Sequence, residues 1–458
     1  MRSALALATA ATMVFGLAAC GTGSTTATTA ASSAAQTTAA ETTKEAAGAG
    51  TIAAAGGSGT EIKLWTFPIG KWGGDYVTEA ITAFNKQNPD IKVNVEYLDY
   101  KSGDDQLTAA IEAGTAPDIL MAEPLRLVKY GKNGQMVKMN DLFTDDLKKD
   151  IGNDSIVAAC SDGTDYWMYP LSITAHFMAI NKEAWEKSGA MEFVNQEGDR
   201  TWTTDNFVKA LGKLKDAGLT SGVVYCGGQG GDQGTRALAD NLYSAEFTNK
   251  DHTEWTMNSA NGVKGLQELK DLCDQGLLTY DAGIAASDEL QLFSNGTVQM
   301  TICWNASNAA NYAKSVAFTP YALPFPSDDG KPVLESGLFG FGIFNNKDDA
   351  KAEAAKKFIQ FVSDDAEIGP KSVEATGFFP VRSSFKCYAD STDPEMTFYK
   401  AMLPYVGDNF TAMDGFTEQR KEWWTMLQNI FSGEKTVEDA ANTYVTNSNG
   451  FTASYKKA

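Results

Sequence analysis

From Glu61 onward, short apolar strands alternate with amphipathic helices, and this pattern leaves few folds open. Ile91, Val93, Val95 and Tyr97 interleave with Lys92, Asn94 and Glu96, a period of two that predicts a half-buried strand. Before it, Glu61–Trp65 reads as a strand. Val77, Ala80, Ile81 and Phe84 then share one face of a helix that Asp75 opens and Asn88-Pro89 ends. After it, Leu107, Ala110 and Ile111 mark a helix stopped by Gly114, and Pro117–Met121 a buried strand. Strand–helix–strand units of this kind predict parallel sheets with helices on both faces.

The alternation continues. A helix with Phe207, Leu211 and Leu214 closes at Gly218, and Val223–Cys226 is a strand. A long helix runs from about Ser259 to Gly276, Val298–Trp304 and Leu338–Phe344 are strands, and Ala350–Val362 is a helix. At 458 residues, the chain is long enough for about two or three domains. Ligands of open α/β sheets bind beyond the carboxyl ends of strands, so two α/β lobes facing each other make a cleft. The net charge of −20 leaves no basic footprint for nucleic acid. Only two histidines, His176 and His252, are present and far apart, which argues against a multi-histidine metal site or a histidine relay.

The first twenty residues have a different logic. Arg2 precedes an apolar run from Ala4 to Phe15, too short to span a membrane, and Leu17-Ala18-Ala19-Cys20 follows. That ending resembles the bacterial lipobox, which implies that Cys20 takes a lipid and becomes the first mature residue. The lipid would anchor the protein on the extracellular face of the cytoplasmic membrane without a membrane-spanning helix. Of the next forty residues, Gly21 to Thr60, 35 are Ala, Thr, Gly or Ser. Such a composition reads as a flexible tether with an end-to-end distance of roughly 35 Å. The five remaining cysteines (Cys160, Cys226, Cys273, Cys303, Cys387) include no C-x-x-C pair and read mostly as buried thiols, with one disulfide of unassigned pairing allowed.

Several local segments, in order, carry a family likeness. They are Trp65 at the end of the first strand, Ala83–Pro89 with Ile91–Val93, Glu112–Ile119, Tyr166–Pro170 with Ala179–Lys182, Thr201–Thr203 with Phe207, Phe293–Met300, Thr376–Arg382 and Ser432–Ala440. In this combination, the chain resembles the extracellular solute-binding lipoproteins of carbohydrate ABC transporters, the group that includes maltose-binding protein. The resemblance spans most of residues 60–445. It implies a bilobal type II periplasmic-binding fold, two discontinuous α/β lobes joined by hinge strands, and no cofactor. The expected N-terminal lobe is 61–172 plus about 320–376, and the C-terminal lobe 173–319 plus about 377–458. The crossings are expected near Leu171–Ala175, Val316–Leu323 and Val373–Arg382. It also implies a monomer that hands a carbohydrate ligand to the permease subunits of an ABC transporter.

Sugar sites combine aromatic faces with planar polar groups in a largely pre-formed cleft. Trp304 ends its strand where the chain enters a loop, at the family position of a stacking Trp, and is expected to sit half exposed, with Asn305 beside it. Trp65, Lys71 and Trp72 lie at the carboxyl end of the first strand; Glu123 and Arg126 follow the strand that ends at Met121. His176 follows the first crossing, Asp232 lies in the glycine-rich run Cys226–Gly234, and Phe339 in Gly337–Gly340. That glycine-rich run lacks both the G-K-[ST] ending and the G-x-G-x-x-G spacing, so it is no nucleotide loop. Trp423 and Trp424 fall where the family stacks sugar, one expected to face the cleft and the other the core. The carboxylate that maltose-binding proteins place after the first hinge strand is Thr174 here, which argues against maltodextrin specificity. Three alternatives stand beside it: a glycoside hydrolase, which needs a carboxylate pair no spacing reveals; a ligand-sensing lipoprotein without transport; and a receptor for glycerol phosphate or a peptide.

Overall fold

A computed structural model describes residues 51–53, 59–100, 102–227, 232–312, 315–407 and 413–455. Cys20 and most of the expected tether lie outside the described residues, as do Gly228–Gly231 of the glycine-rich run. Among the described residues, twelve strands are formed: β1 Thr51–Ala53, β2 Thr60–Thr66, β3 Ile91–Tyr97, β4 Ile119–Ala122, β5 Tyr169–Ala175, β6 Phe177–Asn181, β7 Val223–Tyr225, β8 Thr279–Asp281, β9 Met300–Trp304, β10 Pro320–Leu323, β11 Ser336–Ile343 and β12 Phe379–Pro380.

The larger sheet has the order β1-β3-β2-β4-β11-β5-β12, the smaller β10-β6-β9, and β7 and β8 form a parallel pair. β2 runs parallel to β3 and β4, as strand–helix–strand units require, and β3 alternates buried and half-buried residues throughout. The expectation of parallel sheets fails beyond β4. β11 pairs antiparallel with both β4 and β5, and the smaller sheet is antiparallel throughout. The reason is that β11 and β10 return from distant segments, so no crossover helix sets their direction. Thr51–Ala53, within the expected tether, instead pairs antiparallel with β3 as an edge strand.

Two lobes follow, each with its own apolar core. One is built on β2, β3 and β4 with Ile62, Val77, Phe84, Leu120, Phe341 and Phe358. The other contains Ile180, Trp185, Phe207, Leu211, Leu266, Trp423 and Leu427. A third cluster, with Phe177, Phe293, Trp304, Phe398 and Tyr399, lies along β6 and β9. Helix Thr204–Asp216 shows how local sequence sets these elements. Thr203 caps it by accepting from the Asn206 N–H, and Gly218 ends the turn at a left-handed φ of +74°.

β5 belongs to the larger sheet and β6 to the smaller, with only His176 between them. The chain returns to the larger sheet between Leu323 and Ser336, later than expected, because β10 pairs with β6. β12 pairs with β5, and Arg382 bonds Asp364, so the third passage also falls after the expected Val373–Arg382. The connecting segments are tied together. The His176 N–H donates to the Glu335 carbonyl at 2.7 Å, Leu334 exchanges backbone bonds with Tyr405 and Gly407, and Asn241 grips Val333 through both its amide oxygen and nitrogen. All five cysteines of the folded body are free thiols, three of them buried.

Candidate ligand-binding site

The parallel strands β2, β3 and β4 end at Thr66, Tyr97 and Ala122, and the loops beyond them form one wall. Phe67 follows β2, and Tyr100 follows β3. Their rings stack, with centroids 5.2 Å apart at 20°. Tyr100 keeps 52% of its surface exposed, so its outer face is free to receive a ligand. The Arg126 guanidinium lies over the Phe67 ring at 5.2 Å from its centroid.

Arg126 sits on helix Pro124–Lys132, which β4 feeds directly through Glu123 and a proline at its first turn. Its Nε and Nη2 donate to the two Asp104 oxygens at 2.8 and 3.0 Å, and its Nη1 contacts Glu123. Burial opposes charge on Arg126, but Glu123 and Asp104 outweigh it and hold the guanidinium protonated. Desolvation by the surrounding side chains, and then the charge of Glu123, push the Tyr100 hydroxyl's pKa up, with Arg126 opposing and Cys303 at the end of β9 also within electrostatic reach.

The facing wall is polar and buried. Asp232 opens helix Asp232–Asn241, and Arg420 on helix Phe416–Ser432 donates from Nε and Nη2 to its Oδ1 at 2.7 and 2.6 Å. Arg236, one turn along, contacts Asp232 and forks onto Glu335, both bonds 2.7 Å. Burial and the like charge of Arg126 work against the proton on Arg420, and Asp232 holds it. A run of ion pairs thus leads from the facing wall to the hinge segment. The walls meet where helix Pro124–Lys132 touches the start of the facing helix, with Lys129–Glu418 at 3.4 Å and Lys132–Asp414 at 2.9 Å.

Glu123 and Arg126 lie just past the carboxyl end of β4, and Lys71 is exposed on the short turn Gly70–Gly73 beyond β2. The tryptophans expected at the site are buried instead. Trp304 is 1% exposed, donates its indole N–H to Tyr399 Oη at 2.9 Å and packs edge-on against Phe293. Register explains this, since Trp304 pairs with Phe177 across β6 and points into the third cluster. Trp72 is fully buried and donates to the Ser372 carbonyl at 2.8 Å. Trp65 belongs to the same core. Trp423 donates to Thr235 Oγ1 and Trp424 packs on Tyr225, so both serve the second core and neither faces the cleft. Asp232 is fully buried in its ion pairs, not free to meet a ligand. Asn305 accepts from the Asn308 N–H at the start of helix Ala306–Tyr312, so its side chain serves a turn. Phe339 is half-buried and stacked on Phe378. His176 lies at the junction of β5 and β6. Burial, then the charge of Arg236, lower it to about 4 and keep it neutral.

Sequence reasoning missed Tyr100, Asp104 and Arg420. Tyr100 had a signal: one aromatic among Asp99, Lys101 and Ser102, just past a strand's carboxyl end. Arg420 had one too: a cation on the stripe of Phe416, Trp423, Trp424 and Leu427, where charge is rarely buried without a partner. Among the described residues, no group of three or more His, Cys, Asp or Glu side chains could hold a metal, and no helix is long and apolar enough to cross a membrane.

An ABC substrate-binding protein of Listeria monocytogenes in complex with cycloalternan superposes with a TM-score of 0.70 at 21% identity, covering 86% of this chain and 99% of that one. The GacH receptor of Streptomyces glaucescens GLA.O, described with acarbose, gives 0.72 at 17% identity with the same coverage. The sn-glycerol-3-phosphate-binding periplasmic protein UgpB of Escherichia coli (strain K12) is 22% identical over 433 residues, 87% of this chain and 94% of that protein. Residues 70–367, more than half of the chain, match the family model described as bacterial extracellular solute-binding protein, and the chain belongs to that family.

Proposed function

We propose that the protein captures a neutral sugar or oligosaccharide between its lobes and passes it to the permease of an ABC transporter. In this reading it acts as a monomer held by a lipid on Cys20 at the extracellular face of the cytoplasmic membrane. The observation that carries the reading is the Phe67–Tyr100 stack beside the Arg126–Asp104–Glu123 ion pairs, at the carboxyl ends of three parallel strands. An exposed phenol ring suits the C–H face of a pyranose, and pre-paired charges present fixed donors and acceptors to its hydroxyls. The neighbours described with cycloalternan and acarbose support a sugar.

The UgpB likeness favours a second reading, glycerol phosphate. Charge weighs against it. Arg126 is already held by two carboxylates and Arg420 by Asp232, so a phosphate would have to displace them. Catalysis is not part of the proposal, because the carboxylates nearest the platform are engaged in ion pairs.

Calorimetry against neutral mono- and oligosaccharides and sn-glycerol 3-phosphate tests the reading. Tyr100→Ala should weaken sugar binding about tenfold or more, near 1.4 kcal/mol, and leave the ligand-free melting point unchanged. Binding of glycerol phosphate alone, or full sugar affinity in the variant, would refute it.

A further inference from the structure

β1 takes no part in the ligand-binding walls, yet its register decides from which end of the larger sheet the N-terminal segment leaves. β3 has β2 on one side and only β1 on the other, so without β1 its seven residues would be the edge of the sheet. An edge with Ile91, Val93 and Val95 along it is a template for any strand that reaches it, and Thr51-Ile52 is a β-branched pair suited to the place. The pairing is antiparallel: Thr51 stands opposite Glu96, Ile52 opposite Val95 and Ala53 opposite Asn94. β2 runs the other way, parallel to β3, with Thr60 opposite Ile91 and Thr66 opposite Tyr97.

The two registers fix two different points of exit. Without β1, the sheet would begin at Thr60, beside the start of β3. With β1, it begins at Thr51, beside Glu96, and the step from Ile91 to Glu96 is about 16 Å at the rise of a strand. Glu96 is at the carboxyl end of the parallel strands, where the Phe67–Tyr100 stack and Glu123 lie. The chain from Ala53 to Thr60 is long enough to join the two. It has to pass two strand spacings across and three residues along, about 14 Å, and seven residues reach about 23 Å. Gly59 permits the tight entry into β2. A side chain there would come within 1.8 Å of the Asp90 carbonyl oxygen, the same atom that the Thr60 N–H bonds at 2.8 Å.

We propose that β1 is a clip that moves the point of membrane attachment from the far end of the larger sheet to its ligand-binding end. Thirty residues, Gly21–Gly50, link Cys20 to the clip. Pull from the membrane then acts beside Glu96, and the wall that carries Tyr100 faces the bilayer that holds the permease. Attachment at Thr60 would turn that wall outward. This rests on the lipid on Cys20 and the permease partner proposed above.

The test uses the full chain. Thr51→Cys with Glu96→Cys should form a disulfide on mild oxidation, seen by mass after digestion, because residues directly opposite in an antiparallel pair are within disulfide reach. Thr51→Cys with Lys92→Cys, at the other end of β3, should not. Orientation is read with lipidated protein on phosphatidylcholine–phosphatidylglycerol vesicles that carry an acceptor-labelled lipid. A donor dye is attached to azidophenylalanine in place of Lys71, exposed at the ligand-binding end, or of Thr115, exposed before the start of β4. Energy transfer to the bilayer should be stronger from position 71 than from position 115. Replacing Thr51, Ile52 and Ala53 together by Pro removes every donor of the clip and keeps the chain length, and this order should then reverse. No disulfide between positions 51 and 96, or an order that the triple proline variant leaves unchanged, overturns the inference alone. Protein that the vesicles do not retain overturns the lipid anchor, and the inference with it.

Discussion

Trp304→Ala should unfold the protein more easily, not merely empty its cleft. The indole is enclosed by Phe293 and Phe177, and its N–H is bonded to the Tyr399 hydroxyl. Truncating a fully buried Trp costs about 3–5 kcal/mol. It also leaves the buried Tyr399 oxygen without its donor, a loss of about 1–3 kcal/mol that partly overlaps the first. Unfolding in urea, followed by far-ultraviolet circular dichroism, reads the sum. With a denaturant slope of about 3 kcal/mol/M, the transition that melts this cluster should move down by roughly 1 to 1.7 M. A cycle isolates the polar part. Trp304→Phe alone should destabilise, and adding Tyr399→Phe should recover much of the loss, since removing both partners strands neither. The reasoning fails if Trp304→Ala melts within about 0.2 M of the parent while losing ligand affinity. That result would return Trp304 to the cleft wall.

Two more outcomes are expected. Replacing Lys129 and Lys132 by Gln removes the ion pairs to Glu418 and Asp414 where the two walls meet; at about 0.5 kcal/mol each for partly exposed pairs, ligand affinity should fall about fivefold and lose most of its salt dependence, whereas a parent affinity equal at 0.05 and 0.5 M salt would show that these pairs do not help hold the walls together. Glu289 is fully buried and bonded by Thr301 and the Ile302 N–H, and burial raises its pKa to about 8. Its folded value exceeds its unfolded one of 4.5, so its contribution is full below pH 4.5 and is lost as the pH rises through 8. The stability gap between the parent and Glu289→Gln should therefore shrink from pH 5 to pH 8, as urea midpoints would show. His176, lowered to about 4, acts in the opposite sense between pH 6.5 and 4 but is common to both proteins and cancels. A gap constant with pH would rule out a buried neutral Glu289.

The strands and helices were legible where one face is buried and the other wet. β3 shows this in its alternation, and helix Thr204–Asp216 in its cap, apolar stripe and closing glycine. The wall at the carboxyl ends of the strands follows from the same rule, and Glu123 and Arg126 lie on it. The tryptophans were misplaced because a strand's periodicity says which residues share a face but not what covers it. Trp304 is enclosed by Tyr399, which lies 95 residues further along the chain. Trp72 is held by Ser372, 300 residues away. Strand direction in the smaller sheet was hidden for the same reason, since β10 and β9 reach β6 from over a hundred residues downstream. Tyr100 went unnoticed because a lone loop aromatic has no period.

The place of β11 has a consequence for how the molecule is made. It lies between β4 and β5, so until Ile343 is synthesised, the four strands β1-β3-β2-β4 wait with the β4 edge open and β5 has no partner strand, since β12 comes later still. Glu335, just before it, must also arrive before Arg236 can discharge its buried fork, and Arg420 comes later still. A nascent or truncated chain ending before Glu335 carries unpaired strand edges and leaves Arg236 with Asp232 but without its fork onto Glu335. Such long-range closure makes folding slow for the chain's size and exposes it to edge-to-edge association along the way.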